Sequence, residues 1–146
     1  MSVFKAVAYF NFFVLGLFGV FDTFVPVQFL AAHGLPLNPT TGSTDAMLVY
    51  WVQINGIMYI ILACLYIYAF NYNESKFITV LLRVTGMLFL FTAAIVYFEG
   101  LPAAAKHKAP VEPSIRQAIF GTVTALLSFG ASFLAPASAS SAKKDW

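Results

Sequence analysis

At 146 residues the chain has room for one domain, yet 60% of it is hydrophobic and only 10% is charged, against roughly 25% charged in an ordinary soluble domain. A soluble fold could not hide that much apolar surface. A formal net charge of +2, with no basic face interleaved with aromatics, excludes nucleic acid as a partner. Sixteen Phe, seven Tyr and two Trp fall in long apolar runs without strand-like alternation, which is the pattern of membrane helices.

In chain order, the first run covers 6–25, is closed by Pro26 and carries Asn11 and Asp22. The segment 26–45, "PVQFLAAHGLPLNPTTGSTD", is rich in Pro, Gly, Ser and Thr. Its first half is expected to lie along the interface before Thr44 or Asp45 caps the next helix. The second run, 46–70, is uncharged, with only Gln53 and Asn55 strongly polar. "NYNES" (71–75) is a tight polar turn into the third run, 77–98, which holds Arg83 and is followed by Glu99. The loop "EGLPAAAKHKAPVEPS" (99–114) is broken by three prolines, and Ser114 is a candidate cap for a fourth run, 118–135. The tail 136–146 reads as a flexible end.

Each run is close to the roughly 20 residues that cross a hydrocarbon core about 30 Å thick, and a backbone in lipid must satisfy its own hydrogen bonds. The expectation is an all-α, integral membrane four-helix bundle, one transmembrane domain over 1–146, with both termini on the same side. Lys5, Lys76, Arg83, Lys143 and Lys144 then fall on the side of the termini, and Lys106, Lys108 and Arg116 on the other. This bias points the termini toward the cytosol, matrix or stroma. The first helix reads as a retained signal anchor, since no A-x-A cleavage pattern follows it.

Two polar groupings stand out against the apolar background. Arg83 lies about 10 Å along its helix at 1.5 Å per residue, so it either snorkels to the headgroups or contacts Asn11, which has a matching depth in helix one, as a structural pin. A ligand or proton pathway is the third reading of an intramembrane charge. At the opposite surface Asp22, Gln53, Asn55, Glu99 and Arg116 fall to one face. They form either interhelical hydrogen bonds or a shallow headgroup or quinone site.

Chemistry-bearing motifs are sparse. His33 and His107 occupy separate loops, and Cys64 stands alone in helix two as a small core or lipid-facing residue. No metal-ligand spacing, phosphate loop or nucleophilic triad can be drawn. No catalytic residue, metal or cofactor is therefore predicted, and the composition is compatible with a bound lipid. Gly56, Gly86, Gly121, Ala125, Ser128, Gly130 and Ser132 supply small surfaces for helix packing, with Gly121 and Ala125 spaced as small-xxx-small.

The order "FFVLGLFGVFDTFVPVQFLAAHGLP", "WVQINGIMYIILACLYIYAFN", "LLRVTGMLFLFTAAIVYFEGLP" resembles the DoxX-like group of small four-helix membrane proteins over about residues 12–134. Gly16 and Gly19, Pro26 with the segment from Phe29 to Pro36, Gly56 and Tyr59, Arg83, Gly86, Glu99 and Gly100 carry the likeness. "AFNYNESKF", followed by a helix ending in Glu, is similar to the small four-helix scaffold protein of ergosterol biosynthesis. Both resemblances imply a membrane bundle, and neither transfers a catalytic residue. The functional expectation is a non-catalytic accessory or structural subunit of a larger membrane complex, with lipid and other membrane subunits as partners. An energy-transducing complex of an organelle inner membrane, mitochondrial or plastid, comes first, with the endoplasmic reticulum as the alternative membrane. The rival expectation is a small lipid-, sterol- or quinone-binding protein, or a scaffold for membrane enzymes.

Overall fold

The computed structural model describes residues 2–28, 46–72, 74–102 and 111–135, and all the regular structure in them is helical. Helix α1 runs Val3–Phe24, α2 Ala46–Asn71, α3 Ser75–Ile95 with a π-helical continuation Val96–Gly100, and α4 Glu112–Phe133. Three of these, Val3–Phe24, Val49–Asn71 and Ser75–Phe98, are long and apolar enough to cross a membrane. Helix α4 is not among them. Glu112, Ser114, Arg116, Gln117, Thr122, Thr124, Ser128 and Ser132 make it the most polar of the four.

Local chemistry explains the ends. The Ser2 hydroxyl accepts the Lys5 amide at 3.4 Å and caps α1, while Val25 leaves helical geometry at φ −133°, ψ 48° just before Pro26, which has no N–H to continue the ladder. The expected Ser114 cap of helix four is corrected. The helix begins at Glu112, two residues earlier, after Val111, with Pro113 in its first turn. A proline there is tolerated because the amide it lacks would have no intrahelical acceptor, and Glu112 sits where the helix dipole favours an anion. The Thr44 or Asp45 cap, the interfacial segment from Phe29, His33, His107 and the tail lie outside the described residues.

The helices pack most closely as two pairs, α1 with α2 and α3 with α4, and the pairs meet along α1–α4 and α2–α3. Contacts show that neighbours run antiparallel: Asn11 faces Tyr66 while Asp22 faces Asn55, and Gly86 faces Phe129 while Gly121 faces Ala93. Leu15, Tyr59, Tyr66, Leu82, Phe89 and Ala125 are buried in one core. Phe13, Phe24, Phe91, Phe98 and Phe133 are exposed, as lipid-facing rings would be.

Glycine sets the intimacy of the first pair. A Cβ on Gly56 would lie 2.5 Å from Thr23 Oγ1 and 2.7 Å from both Asp22 Cβ and the Thr23 amide nitrogen, and one on Gly19 would meet Ile60 Cγ1 at 2.8 Å. Backbone blocks relief at Gly56, so Gly56→Ala is expected to destabilise by about 1–3 kcal/mol, the usual cost of overpacking. Gly16 and Gly130 have open space where a Cβ would go. Gly16→Ala and Gly130→Ala are expected to be neutral or to stabilise by up to about 1 kcal/mol. Thermal melts of the three variants in one detergent check the ordering.

Candidate functional site

Two buried polar layers lie on the inner face of the helices. Asn11 and Asp22 are eleven residues apart on α1, three turns, which places them on one face about 16 Å apart along the axis. Each layer adds a tyrosine from α2 and a threonine from α3, with Tyr59 and Tyr66, and Thr85 and Thr92, each two turns apart.

The first layer uses all four helices. Asn11 Nδ2 donates to Ser128 Oγ at 2.8 Å and, at 3.5 Å, to the Tyr66 hydroxyl. That leaves the Tyr66 proton free for Thr85 Oγ1, 3.1 Å away. The Ser128 hydroxyl in turn donates to the Thr124 carbonyl at 2.7 Å, back along α4. Asn11, Tyr66, Thr85 and Ser128 are completely inaccessible, and Asn11 Oδ1 has no partner.

The second layer is built around Asp22, 2% exposed. Asn55 Nδ2 donates to its Oδ2 at 3.4 Å, and Gln53 Nε2 donates to the Thr23 carbonyl at 3.3 Å. The Tyr59 hydroxyl stands beside Asn55 and Thr92, and its ring stacks on Phe89 at 6.5 Å, which puts an aromatic plug between the layers. Asp22 Oδ1 and Thr23 Oγ1 are both buried without a partner.

The residues singled out in the sequence divide accordingly. Asp22, Gln53 and Asn55 come together. Arg116 does not join them, because it pairs with Glu112 one turn back on the exposed face of α4. The backbone of Glu99 lies in the π-helical segment, and its side chain is outside the described residues. The Arg83–Asn11 pin is corrected. Asn11 spends its amide on α2 and α4, and its free oxygen receives nothing, whereas Arg83 is exposed with its guanidinium 5.8 Å from the centre of the Phe133 ring. Cys64 is exposed on α2, and no group of three His, Cys, Asp or Glu suited to a metal occurs among the described residues.

Sequence reasoning missed Tyr66, Thr85 and Thr124 in the first layer and Thr92 in the second, used Tyr59 only for the DoxX-like likeness, and valued Ser128 only for its size. The signal was available as hydroxyl residues repeating every seven positions on α2 and α3, a period that returns them to one helix face. Outside the layers, an open apolar groove of about 410 Å³ runs between the end of α3 and the start of α4, lined by Leu90, Ala94, Tyr97, Ala118, Ile119 and Thr122 among others. Comparison with protein-family models, curated proteins and solved structures finds no match.

Interhelical hydrogen bonds in membranes average about 0.6 kcal/mol and reach about 1.7 kcal/mol. Tyr66→Phe is therefore expected to cost about that range. Asn11→Leu removes two interhelical hydrogen bonds at once, while Ser128 keeps the Thr124 carbonyl and Tyr66 keeps Thr85, and is expected to cost about 1–3 kcal/mol, roughly twice a single such bond. Arg83→Leu removes at most an exposed cation–π contact, no more than about 1 kcal/mol. Unfolding of the three variants in mixed micelles tests this order, and an Arg83 variant less stable than the Asn11 variant would restore the pin.

Proposed function

We propose that the chain is an integral membrane four-helix bundle with both termini on one side, and that it acts without catalysis as an accessory subunit of a larger membrane complex. The alternating helix directions and the joining of all four helices at Asn11 support the bundle, and the DoxX-like resemblance belongs to the same reading. The observation that carries the subunit role is the inward convergence of the polar side chains. Asn11, Asn55, Tyr66, Thr85 and Ser128 turn toward neighbouring helices, and apart from Arg83, Thr122 and the Arg116–Glu112 pair the outer faces present chiefly apolar and aromatic side chains. What such a chain offers its surroundings is a membrane-embedded packing surface. An energy-transducing complex of an organelle inner membrane is the setting this proposal favours.

One observation favours a second reading, a small molecule held within the bundle. The Asp22 Oδ1 acceptor and the Thr23 hydroxyl, a donor and an acceptor, have no partner in a buried layer, and an intramembrane carboxylate is a functional-site hypothesis by default. The near-complete burial of Asp22 admits a lipid, sterol or quinone head only if α1 and α2 part.

Single cysteines introduced in the tail and in the 99–114 loop are expected to label from opposite sides of the membrane, and labelling from one side would refute the topology. In blue-native gels the chain is expected to co-migrate with an assembly several times its own 16.0 kDa and to be lost when that assembly is absent. A stable monomer that purifies with a stoichiometric lipid, and releases it on Gln53→Leu, would replace the subunit reading with the second one.

A further inference from the structure

We propose that the outer side of the seam between α3 and α4 holds an anionic phospholipid, its phosphate at Arg83 and Lys76 and an acyl chain in the apolar groove farther along. The inference rests on the membrane reading above and is independent of the subunit role.

Two stripes define the site. On α3, Lys76, Arg83, Met87 and Leu90 are spaced by seven, four and three residues, steps that return to one helix face. On α4, Ile119, Val123, Leu126, Gly130 and Phe133 are spaced by four, three, four and three. Both stripes lie on the same side of the seam. At one end the Arg83 guanidinium stands 5.8 Å from the centre of the Phe133 ring, and at the other Leu90 shares the groove of about 410 Å³ with Ile119 and Val123. Every residue of the two stripes is exposed, and the open space where a Cβ on Gly130 would go leaves a notch beside Phe133.

Polarity along the stripes selects the occupant. The end at the start of α3 carries two cations, and Met87, Leu90, Ile119, Val123 and Leu126 beyond it are apolar. An apolar partner helix would match the second part and leave the cations unanswered, whereas a phospholipid carries both chemistries in the same order. Arginine holds a phosphate through two parallel N–H donors and lysine as a point charge. The Phe133 ring against the guanidinium restricts its plane. Basic residues also outnumber acids at this end. Lys5, Lys76, Arg83, Lys143 and Lys144 stand against Glu74 and Asp145 in the sequence flanking these helix ends, so pairing every acid would still leave cations over.

Helix levels set the depth. Thr85 and Ser128 both belong to the Asn11 layer. From that level α4 runs five residues on to Phe133 and α3 ten residues back to Ser75, so α3 extends about 7 Å past the end of helix α4. The step keeps Lys76 open above the level at which Arg83 meets Phe133. One leaflet of hydrocarbon is about 15 Å deep, or about ten residues of helix. Ten residues beyond Arg83 lies Ala93, in the wall of the groove.

The test uses the full-length protein in nanodiscs of phosphatidylcholine alone or with phosphatidylglycerol. Native mass spectrometry is expected to find phosphatidylglycerol retained in preference to phosphatidylcholine, and phosphatidylglycerol is expected to raise the melting temperature where inorganic phosphate does not. Arg83→Gln and Lys76→Gln are each expected to lower the preference about five-fold, the effect of about 1 kcal/mol per basic residue. Gln53→Leu, in the Asp22 layer, and Arg116→Gln, at the opposite end of α4, are expected to leave it unchanged. In Leu90→Trp, phosphatidylglycerol brominated on its acyl chains is expected to quench the added fluorescence more than brominated phosphatidylcholine, and Arg83→Gln to remove the difference. The proposal is overturned if the two lipids are retained alike, if the preference survives loss of both Arg83 and Lys76 or disappears on Gln53→Leu, or if inorganic phosphate protects equally. Equal quenching by the two brominated lipids would also overturn it and leave the groove to a partner helix. A chain that enters neither nanodisc overturns the membrane reading as well, whereas insertion with equal retention overturns the seam site alone.

Discussion

The amide of Asn11 is the contact on which the arrangement of the four helices turns. In lipid an apolar side chain gains little by leaving acyl tails for another helix, so oily faces alone do not specify which helices meet or in what register. A directional contact does. Through Ser128 and Tyr66, and from Tyr66 to Thr85, one side chain on α1 engages α4, α2 and α3 at a single level. Moving any helix by one residue turns its face by about 100° and leaves a buried hydroxyl with only hydrocarbon beside it, a cost of about 1–3 kcal/mol.

Close packing works within the pairs. Gly19 and Gly56 let the backbones of α1 and α2 approach, and Gly121 lies against Ala93 and the Phe89 carbonyl between α3 and α4. Such contacts draw on dispersion, which is strong only where surfaces match. The pairs are thus held by shape, and the junction between pairs is held by hydrogen bonds. Thr85 and Ser128 sit at that junction, one on each helix of the second pair, and both face the first.

The spans were legible because bilayer thickness imposes a length on every helix, and composition shows where polar chain must intervene. Helix α4 was least legible: its Ser and Thr residues lower its apolarity while they serve the interior. Depth bookkeeping brought Asp22 to Asn55 correctly, since both lie near the same ends of antiparallel helices. The same bookkeeping failed for Arg83 because depth says nothing of direction around the axis. Arg83 is two residues, about 200°, from Thr85. With Thr85 and Leu82 fully buried, Arg83 must point outward, where Phe133 meets it. Arg116 was misplaced for a related reason. A partner one turn away in its own helix, Glu112, is reached without any tertiary contact.

The two layers differ in a way that separates stability from occupancy. In the Asn11 layer donors and acceptors are matched across four helices with one oxygen left over, and its members are neutral, so it has nothing to exchange. The Asp22 layer draws its side chains from α1, α2 and α3, carries the one buried carboxylate among the described residues, and leaves two side-chain oxygens open next to a broken helix end. Phe89, stacked on Tyr59, stands between them. A change of charge at Asp22 therefore acts at the Gly56 contact between α1 and α2, while the hydrogen bonds of the Asn11 junction lie about 16 Å away and keep their partners.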